Sequence, residues 1–286
     1  MKPATFKYVA PETLEEVLAV LAEHGDDARP LAGGQSLVPL MNMRIARPAV
    51  LVDLNRVAGL DEIRADDGVL VLGPMVRQSA AERHQLIAEA CPLLKQTLRY
   101  VGPPATKNRG TIGGSLAHAD PVAELPGTAL ALGAELVIEN KDGLRTVTPQ
   151  DFYIAELTTA IEAGDMLREI RIPKLASDTK TAFVESGNRQ EGLAIAGVAC
   201  ALRLDGGAAC ESISLAAIGV GSGPVKLVSA EQILIGQQVS EDLIEEAAEA
   251  AINDIDPRDD IHASSHYRTR LTVALVKRAI DQATAV

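Results

Sequence analysis

Two segments of the chain join an apolar run to a pair of glycines followed closely by serine. The first is Ala32-Gly33-Gly34-Gln35-Ser36 and the second is Thr111-Ile112-Gly113-Gly114-Ser115. Adjacent glycines admit backbone angles that other residues avoid and place no Cβ between chain and ligand, so successive N–H groups can converge on phosphate oxygens. Each segment alone is also compatible with a simple tight bend. The pair therefore predicts either a phosphate-binding cradle or two structural turns.

Polar residues near these segments are further candidates for chemistry. His118, Asp120 and Glu124 are spaced so that they can converge at a helix start, where such groups serve either as metal ligands or as an acid–base cluster. Asp53 follows a short apolar run, and we expect it to cap a strand end or a turn.

The three cysteines, Cys91, Cys200 and Cys210, form no CxxC pair and lie in apolar or mixed surroundings. This pattern predicts buried structural thiols and a reducing compartment. Three scattered cysteines cannot supply the four thiolates of an iron–sulfur cluster. The N-terminal residues lack the apolar segment of a secretory signal, so we expect a cytoplasmic protein.

Composition excludes several classes of protein. The chain has 286 residues, 47% hydrophobic and 2% aromatic, enough for about two domains with a large core. Its formal net charge is −12, which repels nucleic acid, so an anionic ligand would have to be held by local N–H groups or single basic side chains. No run approaches the length of a membrane span, and membrane insertion is not expected.

Hydrophobic periodicity predicts a mixed arrangement of helices and strands. Residues 5–9 and 50–54 suggest strands around a helix that opens with a capping box at Thr13, which makes a small βαβ-like unit. Short strands and helices then continue to a strand at residues 166–172. Beyond a boundary at 174–180, three antiparallel strands (181–185, 193–204 and 209–220) precede two helices (240–252 and 264–283).

The motifs in order resemble a known family. They are residues 32–37, Val52-Asp53-Leu54, residues 111–121 with Glu124-Leu125-Pro126, residues 169–173 and residues 256–262. Together they resemble the FAD-binding medium subunit of bacterial molybdenum hydroxylases, the family of xanthine dehydrogenase, carbon monoxide dehydrogenase and the N-heterocycle hydroxylases. The resemblance covers essentially the whole chain and is specific because two separated glycine motifs occur in order.

The resemblance implies an α+β fold with a two-lobed FAD-binding domain of the vanillyl-alcohol-oxidase-like (PCMH) type. Lobe 1 would span residues 1–57, lobe 2 residues 58–175, and a C-terminal flavoprotein domain with a three-stranded antiparallel sheet and helices residues 176–286. FAD would bind non-covalently, with its pyrophosphate on both glycine segments. His118, Asp120 and Glu124 would then shape the FAD site, and no metal is expected in this chain.

The resemblance assigns a set of residues to the FAD site, because each stands at a position that matches the family motif. They are Leu31, Ala32, Gly33, Gly34, Gln35, Ser36, Leu37, Val101, Gly102, Gly110, Thr111, Ile112, Gly113, Gly114, Ser115, Ala117, Ala123, Glu124, Met166, Leu167 and Glu185.

Two positions depart from the family pattern. Glu185 stands where relatives often carry a lysine within reach of the flavin, and Leu193 stands where relatives often have an aromatic residue. A carboxylate there would disfavour the anionic reduced flavin. Two explanations stay open: the alignment slips and Arg189 serves instead, or the flavin potential is lower than in lysine-bearing relatives.

The implied function is electron transfer. The chain would carry FAD, take electrons from [2Fe-2S] clusters in a small partner subunit and pass them to an external acceptor, while a large subunit holds the molybdenum cofactor. An (αβγ)2 heterohexamer is the expected assembly, with an N-heteroaromatic compound as the substrate class. The alternatives are a free-standing FAD-dependent oxidoreductase and a non-catalytic nucleotide-binding subunit.

Overall fold

The computed structural model describes residues 1–189 and 192–285. Lobe 1 is built on a three-stranded parallel sheet of order β1-β3-β2. Its elements are β1 (Lys7–Val9), α1 (Leu14–His24), β2 (Ala28–Leu31), α2 (Leu37–Asn42) and β3 (Val50–Asp53).

The predicted capping box begins α1. The Glu16 N–H donates to Thr13 Oγ1 at 3.2 Å, and the Thr13 N–H donates to Glu16 Oε2 at 3.3 Å. Gly25 follows the helix with φ of 49°, a left-handed value that favours glycine. The buried face of α1, with Val17 and Leu21, packs against Val52 of β3. The βαβ-like unit is therefore present, and α2 is an additional short helix within the apolar stretch after the first glycine pair.

Lobe 2 contains an antiparallel five-stranded sheet of order β4-β5-β10-β6-β7. The strands of this sheet are β4 (Ile63–Asp66), β5 (Val69–Leu72), β6 (Glu135–Asn140), β7 (Gly143–Val147) and β10 (Met166–Pro173). A separate two-stranded sheet consists of β8 (Tyr153–Ala155) and β9 (Thr158–Thr159). Its helices are α3 (Gln78–Arg83), α4 (Gln85–Ala90), α5 (Pro92–Thr97), α6 (Pro104–Lys107), α7 (Ile112–His118), α8 (Glu124–Ala131) and α9 (Pro149–Phe152).

The C-terminal region is an antiparallel sheet of order β11-β12-β13-β14 with helices against one face. The strands are β11 (Lys180–Gly187), β12 (Ala194–Leu204), β13 (Cys210–Ile218) and β14 (Val225–Lys226), and the helices are α10 (Val228–Leu234), α11 (Glu241–Ala250) and α12 (Ser265–Thr284). The three predicted strands are present. The fourth has two residues and α10 has seven, both too short for a clear periodic signal.

The C-terminal sheet is covered on both faces. Val198 and Leu215 lie in a core with Ile280 of α12. The opposite face shares the core of lobe 2, where the rings of Phe183 and Tyr100 have centroids 5.2 Å apart. The C-terminal sheet and lobe 2 are thus joined by a continuous apolar interface.

The cysteines are free and buried, as predicted. Burial raises the pKa of the Cys91 and Cys200 thiols to about 12, which keeps them protonated. No helix within residues 1–189 and 192–285 is both long enough and apolar enough to cross a membrane.

Candidate functional site

A cleft of about 1050 Å³ is bordered by residues of both lobes and of the C-terminal sheet. The turn after β2 and the segment that opens α7 lie on its wall, and so do Arg189 and Leu193 in the connection between β11 and β12. The two glycine segments, which are almost eighty residues apart in sequence, therefore meet at one cavity of a size typical of cofactor sites.

The first glycine segment presents a row of free backbone donors. The N–H groups of residues 33 to 37 donate to no acceptor among the residues that the structure describes. Gly34 has φ of 73°, the left-handed value that turns the chain between β2 and α2. All five residues line the cleft. Gly33 is buried, and the N–H groups of Ser36 and Leu37 open α2, where the first amides of a helix have no intrahelical acceptor. The row can therefore donate to an anionic ligand in the cleft.

The second glycine segment is different. The Gly113 N–H donates to the Pro74 carbonyl at 3.0 Å, the Gly114 N–H to Thr111 Oγ1 at 2.9 Å and the Ser115 N–H to the Thr111 carbonyl at 3.2 Å. These three amides already have acceptors within the protein, so the two segments differ in the N–H groups they leave free. The predicted contact of the second segment with the pyrophosphate stays a prediction. The glycines here allow close packing instead, because a Cβ on Gly113 would lie 2.5 Å from the Pro74 Cβ.

The two segments are in direct backbone contact. A Cβ on Gly33 would overlap the Arg109 carbonyl oxygen and lie 2.8 Å from the Gly110 Cα. The Arg77 guanidinium donates to the Arg109 carbonyl and to Asn55 Oδ1, and Asn55 Nδ2 donates to the Ala32 carbonyl at 3.1 Å. This polar network fixes the first turn against the second.

Asp53 anchors the network, and its predicted capping role is confirmed. It accepts the Asn55 N–H at 2.9 Å and the Tyr8 hydroxyl. Burial opposes ionisation of Asp53, but hydrogen bonds from Tyr8 and Asn55 outweigh it and lower its pKa. Sequence reasoning missed Asn55 and Arg77, because a single polar residue after a strand carries no local signal of a partner that is distant in sequence.

Most of the sequence-predicted site residues line the cleft. They are Ala32, Gly33, Gly34, Gln35, Ser36, Leu37, Val101, Gly102, Gly110, Thr111, Gly113, Gly114, Ser115, Ala117, Ala123, Glu124, Met166 and Leu167. His118 and Asp120 also line it. No group of three His, Cys, Asp or Glu residues within the described ranges is arranged to hold a metal ion.

Three predicted site residues do not line the cleft: Leu31, Ile112 and Glu185. Leu31 ends β2, and Ile112 is 2% exposed in the core of lobe 2. Of the two residues left open near the flavin, Arg189 lines the cleft, whereas Glu185 on β11 does not. Leu193 also lines the cleft and is 64% exposed, so an aliphatic side chain occupies this part of the wall.

Comparison with known proteins assigns the family. Residues 4–175 match the FAD-binding domain in molybdopterin dehydrogenase, and residues 181–283 match the CO dehydrogenase flavoprotein C-terminal domain. The chain belongs to the FAD-binding subunits of the molybdenum hydroxylases. The predicted resemblance, the oxidoreductase class and FAD as the cofactor of this subunit are thereby confirmed.

Individual relatives cover this flavoprotein subunit almost completely. The 6-hydroxypseudooxynicotine dehydrogenase complex subunit alpha of Paenarthrobacter nicotinovorans is 38% identical over 99% of this chain and 96% of its own length. The structure of quinoline 2-oxidoreductase from Pseudomonas putida 86 is similar with a TM-score of 0.94 and 37% identity, over 100% of this chain and 99% of that one. Carbon monoxide dehydrogenase from Hydrogenophaga pseudoflava gives a TM-score of 0.97 at 34% identity, with the same shares covered.

These relatives are subunits of multi-subunit complexes in which the molybdenum cofactor is carried elsewhere. The predicted two-part fold, an FAD-binding domain of this type followed by a C-terminal α+β domain, is confirmed.

Proposed function

We propose that this subunit holds FAD in the cleft with the pyrophosphate on the amide row of residues 33–37. The observation that carries the placement is that row of five unsatisfied N–H groups on the wall of a cofactor-sized cavity. The protein is strongly acidic, so a dianionic pyrophosphate needs local donors, and hydrogen bonds to a charged group contribute about 1.5–3 kcal/mol each.

The rest of the cleft wall suits the remainder of the cofactor. Leu193, which is 64% exposed, offers an apolar surface, while Glu124 and Arg189 offer polar groups at other positions. When bound, FAD supplies two-electron and one-electron redox chemistry, taking electrons from the [2Fe-2S] clusters of a partner subunit and releasing them to an external acceptor. The chain's own residues bind the cofactor, orient it and set the charge around it.

We further propose that the partners are a large subunit with the molybdenum cofactor and a small [2Fe-2S] subunit, assembled as an (αβγ)2 heterohexamer. The match over almost the full length of relatives named as the subunit of a complex and as a medium chain supports partner subunits. An N-heteroaromatic substrate for the large subunit is supported by the identity to the quinoline enzyme, 37%, against 34% for the carbon monoxide enzyme.

Co-expression with the genes that neighbour this one tests the proposal. Purification through a tag on this chain should yield a complex with a flavin spectrum, molybdenum and iron in fixed ratio. Flavin without molybdenum or iron would instead identify a free-standing FAD-dependent oxidoreductase. A colourless protein that binds no added FAD would identify a non-catalytic subunit and overturn the proposal.

A further inference from the structure

The peptides that carry the amide row are held by their carbonyl groups. Each free N–H of residues 33–37 shares a peptide with the carbonyl of the residue before it. In a trans peptide these two groups point in opposite directions, and the described part of the chain contains no cis peptide. The group that holds the carbonyl therefore sets the direction of the N–H.

Three of these carbonyls, those of residues 33, 34 and 36, are held by neighbours along the chain. They accept from Gln35 Nε2 at 3.3 Å, from the Val38 N–H at 3.2 Å and from the Leu40 N–H at 3.1 Å. The residue four positions after Gln35 is Pro39, which has no N–H for the carbonyl of residue 35. These hydrogen bonds belong to the local turn into α2 and need no contact with a distant segment.

The Ala32 carbonyl is held from a distant part of the chain. It accepts from Asn55 Nδ2 at 3.1 Å, and Asn55 lies in the 3-10 helix Leu54–Arg56 that follows β3. The peptide concerned carries the Gly33 N–H, the first donor of the row. Gly33 lines the cleft, whereas Asn55 does not. By holding the carbonyl, Asn55 therefore turns the Gly33 N–H away from itself and towards the cleft.

The Asn55 amide is held in one orientation. Its Oδ1 accepts from the Arg77 guanidinium, which has donors and no acceptor, so the atom that faces Arg77 must be the oxygen. Its Nδ2 then faces two oxygens, the Ala32 carbonyl and Asp53 Oδ1. Asp53 Oδ1 also accepts the Asn55 backbone N–H at 2.9 Å. One amide hydrogen thus goes to Asp53, and the other is directed at Ala32.

We propose that Asn55 is a positioning residue for FAD, which acts through the Ala32 carbonyl to aim the Gly33 N–H at the pyrophosphate. Arg77 and Asp53 hold the Asn55 amide in its donating orientation. Without Asn55 the 32–33 peptide can rotate, and the row then offers the anion one donor fewer. The inference rests on the proposed placement of the pyrophosphate on the amide row.

Nuclear magnetic resonance of the full-length apoprotein tests the hold on the Ala32 carbonyl without any cofactor. The chain contains Ala–Gly peptides at 32–33, 58–59, 163–164 and 196–197, so labelling alanine carbonyls with ¹³C and glycine amides with ¹⁵N gives one correlation peak for each. The 32–33 peak, identified by its absence in Ala32→Ser, should shift in Asn55→Leu while the others stay in place. An unmoved 32–33 peak would overturn the hold.

Titration of the full-length apoproteins with FAD tests the positioning role. We expect the Kd of Asn55→Leu to be about tenfold that of the wild type, the effect of one lost hydrogen bond to a charged group. Arg77→Met is the matched control. It removes the donors to the Arg109 carbonyl and to Asn55, and so loosens the same contact between the lobes, but it leaves Asn55 and Ala32 unchanged. Its Tm should fall at least as far as that of Asn55→Leu, while its Kd rises by no more than about threefold.

Two results separate the possible failures. A Kd for Arg77→Met as high as that of Asn55→Leu would overturn the positioning role, because loosening of the lobes would then account for the whole effect. Addition of FAD to the wild type should also shift the 32–33 peak. If FAD binds and leaves that peak unmoved, the placement of the pyrophosphate is wrong, whatever the Asn55 variant shows.

Discussion

Gly33 lies so close to Arg109 that any side chain at position 33 would overlap the Arg109 carbonyl oxygen. The Arg77 guanidinium donates to the same carbonyl and to Asn55, so the turn after β2 and the segment before α7 are held backbone to backbone. This packing by itself requires glycine at position 33. The amide row keeps its geometry because the two segments support each other.

Gly33→Val should therefore damage the protein as well as the site. The added side chain must push the two segments apart, and overpacking of this kind costs about 1–3 kcal/mol of unfolding free energy. We expect a lower Tm together with loss of bound FAD. Gly206→Val is the control, because a Cβ at Gly206 meets nothing within 4 Å. Wild-type Tm and full flavin content in Gly33→Val would contradict the contact.

Gly34→Ala should weaken FAD binding by moving the amide row. Gly34 has φ of 73°, and Gly68, in the β4–β5 hairpin, has φ of 82° with open space around it. Alanine at either position costs about 1–2 kcal/mol of backbone strain, but only position 34 lies in the cleft. Titration of the apoproteins with FAD should give a Kd at least tenfold higher for Gly34→Ala and unchanged for Gly68→Ala. Equal affinities would place the pyrophosphate elsewhere.

Arg189→Gln should lower the flavin midpoint potential. Arg189 is on the cleft wall, and a cation there stabilises the negative charge that reduction adds to FAD. If the reduced flavin loses about 1.4 kcal/mol of stabilisation relative to the oxidised flavin, the midpoint potential falls by about 30 mV for a two-electron couple. Potentiometric titration of the flavin absorbance measures it. The control is Arg203→Gln, because the Arg203 guanidinium lies at the far end of β12, in ion pairs with Asp178 and Glu211. A potential unchanged within error would remove Arg189 from the surroundings of the flavin.

Arg268→Leu should be strongly destabilising. Its buried guanidinium donates to the Ile195 and Gly219 carbonyls and, at 2.6 Å, to Asp260, so it ties α12 to strand ends near the cleft. Removing it leaves those acceptors without a donor, at a cost of about 3–5 kcal/mol. Arg270 on the same helix is exposed and forms an ion pair with Glu249 at 3.9 Å. Arg270→Leu should therefore cost less than 1 kcal/mol of unfolding free energy, about the value of a surface ion pair. Chemical denaturation of both variants compares them.

The Asp260 contact predicts an acid-dependent loss of stability. Burial works against ionisation of Asp260, but backbone N–H donors and Arg268 prevail and lower its pKa to about 2. A depressed folded-state pKa means that the contribution is complete above the ordinary value of 3.8 and is lost as pH falls towards 2. Between pH 5 and pH 2.5, wild type should lose more stability than Asp260→Asn. Parallel curves would show that this carboxylate is not linked to folding.

Local sequence patterns were enough to predict most helices and strands and to identify the family. The capping box at Thr13, the strand at β10 and the amphipathic closing helices follow from periodicity and turn residues, which are properties of neighbours along the chain. Short elements such as β14 and α10 carry too few residues for such a pattern, so they were decided by packing on the sheet.

By itself the sequence determined the family and, through it, the prediction that two glycine pairs of an acidic protein belong to one FAD site. Most of the residues predicted for that site line one cleft in the structure. Only the tertiary structure decided that the two glycine pairs differ in the N–H groups they leave free, because hydrogen bonding depends on contacts between segments that are distant in sequence. Pro74 and Thr111 occupy the amides of the second pair, while those of the first stay free.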